Sequence, residues 1–203
     1  MDVISQLATT LNRRDEKPNQ ELAIKIAEAN DSAAVAELVA LLQHKNKNIQ
    51  ADSIKALYEV GYIAPTLIAP HIQVFLDLLK SKNNRMVWGA MCALDMIALV
   101  KPTELYDALP LIMDTAEKGT VITNDRTVKL LVKLAKHPQY QEAALMLLLE
   151  QVQRAPVNQL PTYAEATASV MLPEIKEQFI NIVQQKLQEV EYEAKRKRLE
   201  KIL

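Results

Sequence analysis

Residues 67–99 read LIAPHIQVFLDLLKSKNNRMVWGAMCALDMIAL, and this stretch decides the fold. Leu67, Ile68, Ile72, Phe75, Leu76 and Leu79 recur at helical spacing around Pro70. A polar break runs from Ser81 to Arg85, after which Met86, Ala90, Ala93, Leu94 and Ile97 resume the same period. The pattern predicts two helices joined by a short turn. Such a hairpin is apolar on both sides and cannot bury both alone, so it needs similar units above and below it.

The flanking sequence supplies them. Upstream, Ile49, Ser53, Ala56, Leu57 and Val60 predict a helix stopped at Gly61, and Val35, Leu38, Val39 and Leu42 a helix before it. Asn30-Asp31-Ser32 closes a helix over 19–29 and caps the next, and Asp2 is placed to cap a first helix carrying Val3, Ile4, Leu7, Ala8 and Leu11. Downstream, Lys101-Pro102-Thr103 repeats the punctuation of Ala64-Pro65-Thr66. It opens a pair with Leu105, Leu109, Ile112 and Met113 on one helix, around Pro110, and Val128, Leu131, Leu134 and Ala135 on the other. His137-Pro138 and Leu160-Pro161-Thr162 open the two helices of a fourth pair, and Pro173 starts a last helix with a stripe from Ile175 to Val190.

Composition agrees with an all-α chain. Three glycines in 203 residues are too few for a sheet-and-turn protein or a phosphate-cradling loop, and 49% apolar residues suffice for a core. A net charge of -1 argues against a dedicated nucleic-acid binder, whose phosphate contacts need a basic excess. The lone Cys92 forbids an internal disulfide and suits a reducing compartment, so a cytoplasmic location is expected. No basic start with an unbroken apolar run opens the sequence, so no signal peptide is expected, and the runs 143–149 and 109–113 fall far short of the ~20 residues of a membrane span.

The core leucines Leu57, Leu94 and Leu134 lie 37 and 40 residues apart, and Pro70 and Pro110 lie 40 apart. With Asp77, Asn83, Arg85, Met86, Ala90 and Ala93 around them, these residues resemble the HEAT-repeat family of paired antiparallel helices with a proline-bent first helix. Weaker matches run through Leu38, Leu42, Asn46, Ile49, Ser53 and Ala56, and through Asp114, Asp125, Arg126 and Val128. The resemblance implies an all-α fold, a right-handed α-solenoid of about four to five helix pairs of HEAT type. It implies a single domain over 1–203, with pairs at 1–30, 31–62, 65–100, 102–137 and 138–172 and a terminal helix at 173–203. It also places the second helix of each pair on a concave surface that holds partners.

Basic residues then become the candidates. Arg126, Lys129, Lys133 and Lys136 form one stripe opposite an apolar face. Lys80, Lys82 and Arg85 gather at the loop of the central pair beside Trp88, and Trp is the commonest interface anchor. Trp88 falls off the core stripe and shares a face with Met91 and Asp95, while Arg85 has a purely structural alternative, pairing with Asp77 or Asp52. With Lys55, these give the candidate partner-binding set Lys55, Arg85, Trp88, Arg126, Lys129, Lys133 and Lys136. Lys195, Arg196, Lys197 and Arg198 follow Glu191 and Glu193 at four-residue spacing and are expected to support their own helix.

Catalytic signals are weak. His44, His71 and His137 are isolated and no His-Glu dipeptide occurs, which gives no metal site and separates the chain from HEAT-like metal hydroxylases. Cys92 has no histidine near it in sequence and reads as a small packed residue. No cofactor is implied. The expectation is a non-catalytic scaffold holding another protein or an acidic peptide segment, as a monomer or a weak end-to-end dimer, with neither nucleic acid nor membrane as partner. The alternative is a nucleic-acid-binding protein akin to the HEAT-like glycosylases of alkylated bases, in which Trp88 and Asp95 would flank the base; few aromatics and a near-zero charge weigh against it.

Overall fold

A computed structural model describes residues 2–203; Met1, the first residue of the expected pair 1–30, lies outside them. The described residues form helices and turns, with no strand among them. They divide into two compact units, residues 2–126 and Thr127–Leu203. In the first unit α1 (Lys17–Glu28), α2 (Ser32–Leu41), α3 (Lys47–Ile63), α4 (Pro65–Ile68), α5 (Ile72–Leu78), α6 (Asn84–Ile97), α7 (Pro102–Asp107) and α8 (Leu109–Glu117) lead into α9 (Val121–Leu134). The second unit holds the rest of α9, then α10 (Gln141–Arg154), α11 (Leu160–Ala168), α12 (Lys176–Leu187) and α13 (Glu193–Glu200).

Second helices lie side by side: α3 packs on both α1 and α6, and in the second unit α11 packs on α13. First helices back them, α2 on α3, α5 on α6 and α10 on α11. Leu57, Leu94 and Leu134, the three positions that set the period, are all wholly buried. Truncating any one to alanine would cost about 2–5 kcal/mol. Asn46 and Asn83, also 37 residues apart, cap α3 and α6 in the same way, accepting from the amides of Asn48 at 2.9 Å and Arg85 at 3.1 Å. Asp31 caps α2 through Ala34 N.

The prolines break their first helices. A 3-10 turn over Ala69–His71 separates α4 from α5, and α8 starts afresh at Leu109 with Pro110 in its first turn. Without an N–H, and with a ring that crowds the preceding turn, proline cannot continue an α-helix unbent.

Three expectations are corrected. The first helix is only a 3-10 turn, Ile4–Gln6. The amides of Val3, Ala8 and Thr9 bond to the side chains of Glu37, Asn19 and Asp52, not to carbonyls one turn back, so the helical ladder does not form. Gly61 does not stop α3, which continues to Ile63. A Cβ at Gly61 would lie 2.6 Å from Ile68 and 3.1 Å from Met96, so this glycine serves the close approach of neighbouring elements.

The terminal helix over 173–203 is in fact α12 and α13. Arg196 Nη1 donates to the carbonyls of Leu187 and Val190 at 3.0 and 3.1 Å, satisfying the end of α12, and Val190 between the helices is buried. Of the expected pairs in the basic run, Glu193 with Lys197 forms at 2.7 Å, whereas Lys195 reaches Asn158 and lies over the Tyr192 ring. Arg198 forks onto Glu165 of α11.

Candidate functional site

On α3, Lys55, Tyr58, Glu59 and Tyr62 fall at helical spacing on the face away from Leu57. Lys55 Nζ lies 2.7 Å from Glu16 and 2.6 Å from Glu59, and 4.8 Å from the centre of the Tyr58 ring. Burial pulls the Lys55 pKa down, but the hydrogen bonds to Glu16 and Glu59 outweigh it and hold the ammonium charged well above its usual range. Tyr58 is buried, which pushes its hydroxyl up to about 12 against the lowering effect of Lys55. Lys55 is therefore part of the protein's own network, with its side chain 12% exposed.

Tyr62, packed edge-on against Tyr58 with ring centres 6.2 Å apart, is 47% exposed. Its ring carries the guanidinium of Arg126 at 5.6 Å. Arg126 Nη1 donates at 3.1 Å to Asp95 Oδ2, on the wholly buried Asp95 of α6. The first cation of the predicted stripe is thus held inward. Lys133 is half-buried and already engaged, while Lys129 and Lys136 are exposed, with no ion pair among the described residues. Lys136 lies in the turn after α9 rather than on the helix, whose last residue is Leu134.

On α6, Trp88 is half-buried and off the core stripe, as the register implies, but Met91 and Asp95 are wholly buried and share no open surface with it. Asp95 faces Arg126, so the acid that a base-excising site would use is taken up by a guanidinium. The Trp88 indole Nε1 is buried with no hydrogen-bond partner among the described residues. Among the described residues close cation contacts fall not on Trp88 but on Tyr58 and Tyr192, each reached by a lysine three residues away, and on Tyr62, reached by Arg126 of α9. Burial pushes the Cys92 thiol above its usual range, which disfavours a thiolate nucleophile.

Arg85 is exposed and has neither Asp77 nor Asp52 as partner. Asp77 accepts from Gln73, and Asp52 accepts from Thr9 N at 2.7 Å and Asn19 Nδ2 at 2.9 Å. The buried Asn19 in turn accepts from Ala8 N, so the Asn19–Asp52 pair clamps two consecutive amides of the N-terminal segment. That clamp brings residues 13–16 alongside α3 and α6, where Arg14, Glu16, Asp52, Tyr58, Arg85 and Trp88 line a cleft of about 130 Å³. Sequence spacing could not place Arg14 there, since the segment carrying it is held by side-chain hydrogen bonds and has no periodicity.

No protein-family model matches the chain, and no curated protein matches it in sequence. Solved structures do. An engineered protein matches at 19% identity with a TM-score of 0.63, over 100% of this chain and 97% of that one. A computationally designed armadillo repeat protein for modular peptide recognition matches at 16% and 0.64, over 98% and 96%. A designed armadillo repeat protein in complex with the peptide (KR)4 matches at 15% and 0.63, over 100% and 98%. At these identities the likeness shows the fold: an all-helical α-solenoid of armadillo or HEAT type.

Proposed function

We propose that this chain is a non-catalytic interaction module that holds an acidic peptide or protein segment against its second helices. The observation that carries this is the face of α3 and α6, where Tyr62, Trp88 and Arg85 reach the surface over a buried leucine layer. Aromatic and arginine side chains on a rigid helical face are the residue types that dominate interface energetics. The fold supports the reading, since structurally similar designed armadillo proteins recognise peptides. The (KR)4 ligand of one of them is basic, whereas the charge on this face that has no ion pair among the described residues, Arg85, is a cation and favours an acidic partner.

The test is selection of a displayed random-peptide library on the full chain, with free selected peptide and polyanionic nucleic acid as competitors. Recovery of a peptide class enriched in Asp and Glu, displaced by free peptide and weakened by salt, supports the module. Recovery of no peptide, together with salt-sensitive retention of nucleic acid, refutes it.

A further inference from the structure

The cleft between the N-terminal segment and α3 and α6 contains an imbalance of charge. Two of its three carboxylates are ion-paired, Asp15 by a two-pronged contact from Arg13 at 2.9 and 3.0 Å and Glu16 by Lys55 at 2.7 Å, while Asp52 keeps its charge with both oxygens turned to Thr9 N and Asn19, leaving four lining cations against three carboxylates. Arg14 and Arg85 line the same cleft, and among the described residues neither has an ion pair or a side-chain hydrogen bond. Within α6 the position four residues after Arg85, where a glutamate could pair with it, is Gly89. A Cβ at Gly89 would lie 2.4 Å from Ile54, so close packing of α3 on α6 keeps an acid out of that position.

We propose that this cleft is the anchoring subsite for one acidic side chain of the partner, its carboxylate held between the guanidinium groups of Arg14 and Arg85 and its methylene groups against Trp88. The proposal rests on the acidic-segment reading above and names the residues that would give it specificity. A guanidinium presents paired donors that match a carboxylate, and two of them leave no acceptor lone pair facing empty space. Size agrees: about 130 Å³ is well below the ~300 Å³ at which small-molecule pockets begin, and it suits a single side chain. The half-buried indole supplies an apolar wall beside the charges, an arrangement that anchors a side chain without enclosing the whole ligand.

A fluorescently labelled oligoglutamate with an amidated C-terminus, titrated by anisotropy into the full chain, tests this. The wild type is expected to bind saturably, and R14A/R85A to bind at least about tenfold more weakly with its thermal melt unchanged. K129A/K136A is expected to change the affinity by less than about threefold. An oligoglutamine with a free C-terminus separates side-chain from terminal carboxylate; equal binding of that peptide overturns the side-chain assignment. Affinity unchanged in R14A/R85A, a loss carried by K129A/K136A, or no oligoglutamate binding by the wild type overturns the subsite. If library-selected peptides still bind in that case, the interaction module stands without it; if they do not, both fail.

Discussion

Lys55 of α3 and Arg85 of α6 sit on adjacent second helices, and both are basic residues on the open side of a buried leucine layer, yet the two helices use them in opposite ways. Lys55 has Glu59 four residues on and Glu16 facing it, and its ammonium is absorbed into a three-residue network beneath Tyr58. Arg85 has Gly89 four residues on and no carboxylate free to meet it, so its guanidinium stays in the solvent beside Trp88. The difference teaches that a cation on a helical repeat is available to a partner only where the repeat's own acids are missing or already taken. Arg126 extends the lesson over distance, because its acid, Asp95, comes from the preceding repeat.

The comparison makes graded predictions. Arg126→Ala should have the largest effect, a loss of about 3 kcal/mol by urea denaturation, because it strips the guanidinium from a wholly buried Asp95. A loss below about 0.5 kcal/mol would mean that Asp95 is adequately held without it. Lys55→Ala should cost about 1 kcal/mol, less than Arg126→Ala because Glu16 is 60% exposed and returns to water.

Alkaline stability sharpens the contrast. The folded protein keeps the Tyr58 proton to about 12, against an ordinary value of 10, and holds the Lys55 proton above its ordinary 10.5. Both groups thus contribute stability that is fully present below pH 10 and is lost as the pH climbs through their folded values. Tyr58→Phe should flatten the fall in denaturation midpoint between pH 10 and pH 12; an unchanged slope would remove Tyr58 from the network. Arg85→Ala should change stability least, within about 0.5 kcal/mol, as expected for a side chain with no intramolecular partner. A cost comparable with that of Lys55→Ala would show that Arg85 is bound within the protein and is not free for a ligand.

Much of the fold was legible in the chain. The helical period, the prolines at positions 70 and 110 and the asparagine caps at 46 and 83 are local features, so the helix pairs, their bends and their starts could be read directly. The candidate site was legible only in part. The off-core register of Trp88 followed from spacing, and the pair of Lys55 with Glu59 could have been read from its four-residue separation. The roles of Arg126 and Arg14 could not, because each depends on a group that the fold brings from elsewhere: Asp95, 31 residues away, and the Asn19–Asp52 clamp.

Sequence by itself determined an all-helical repeat with a leucine core, because hydrophobic period, caps and breakers act over one or two turns and carry their own geometry. Tertiary structure alone decided which cations are neutralised and which are open, and that the first predicted helix is an irregular segment clamped by side chains of three later helices. Charge pairing and backbone capture depend on distances between residues far apart in the chain, and only the packing of one helix on the next sets those distances.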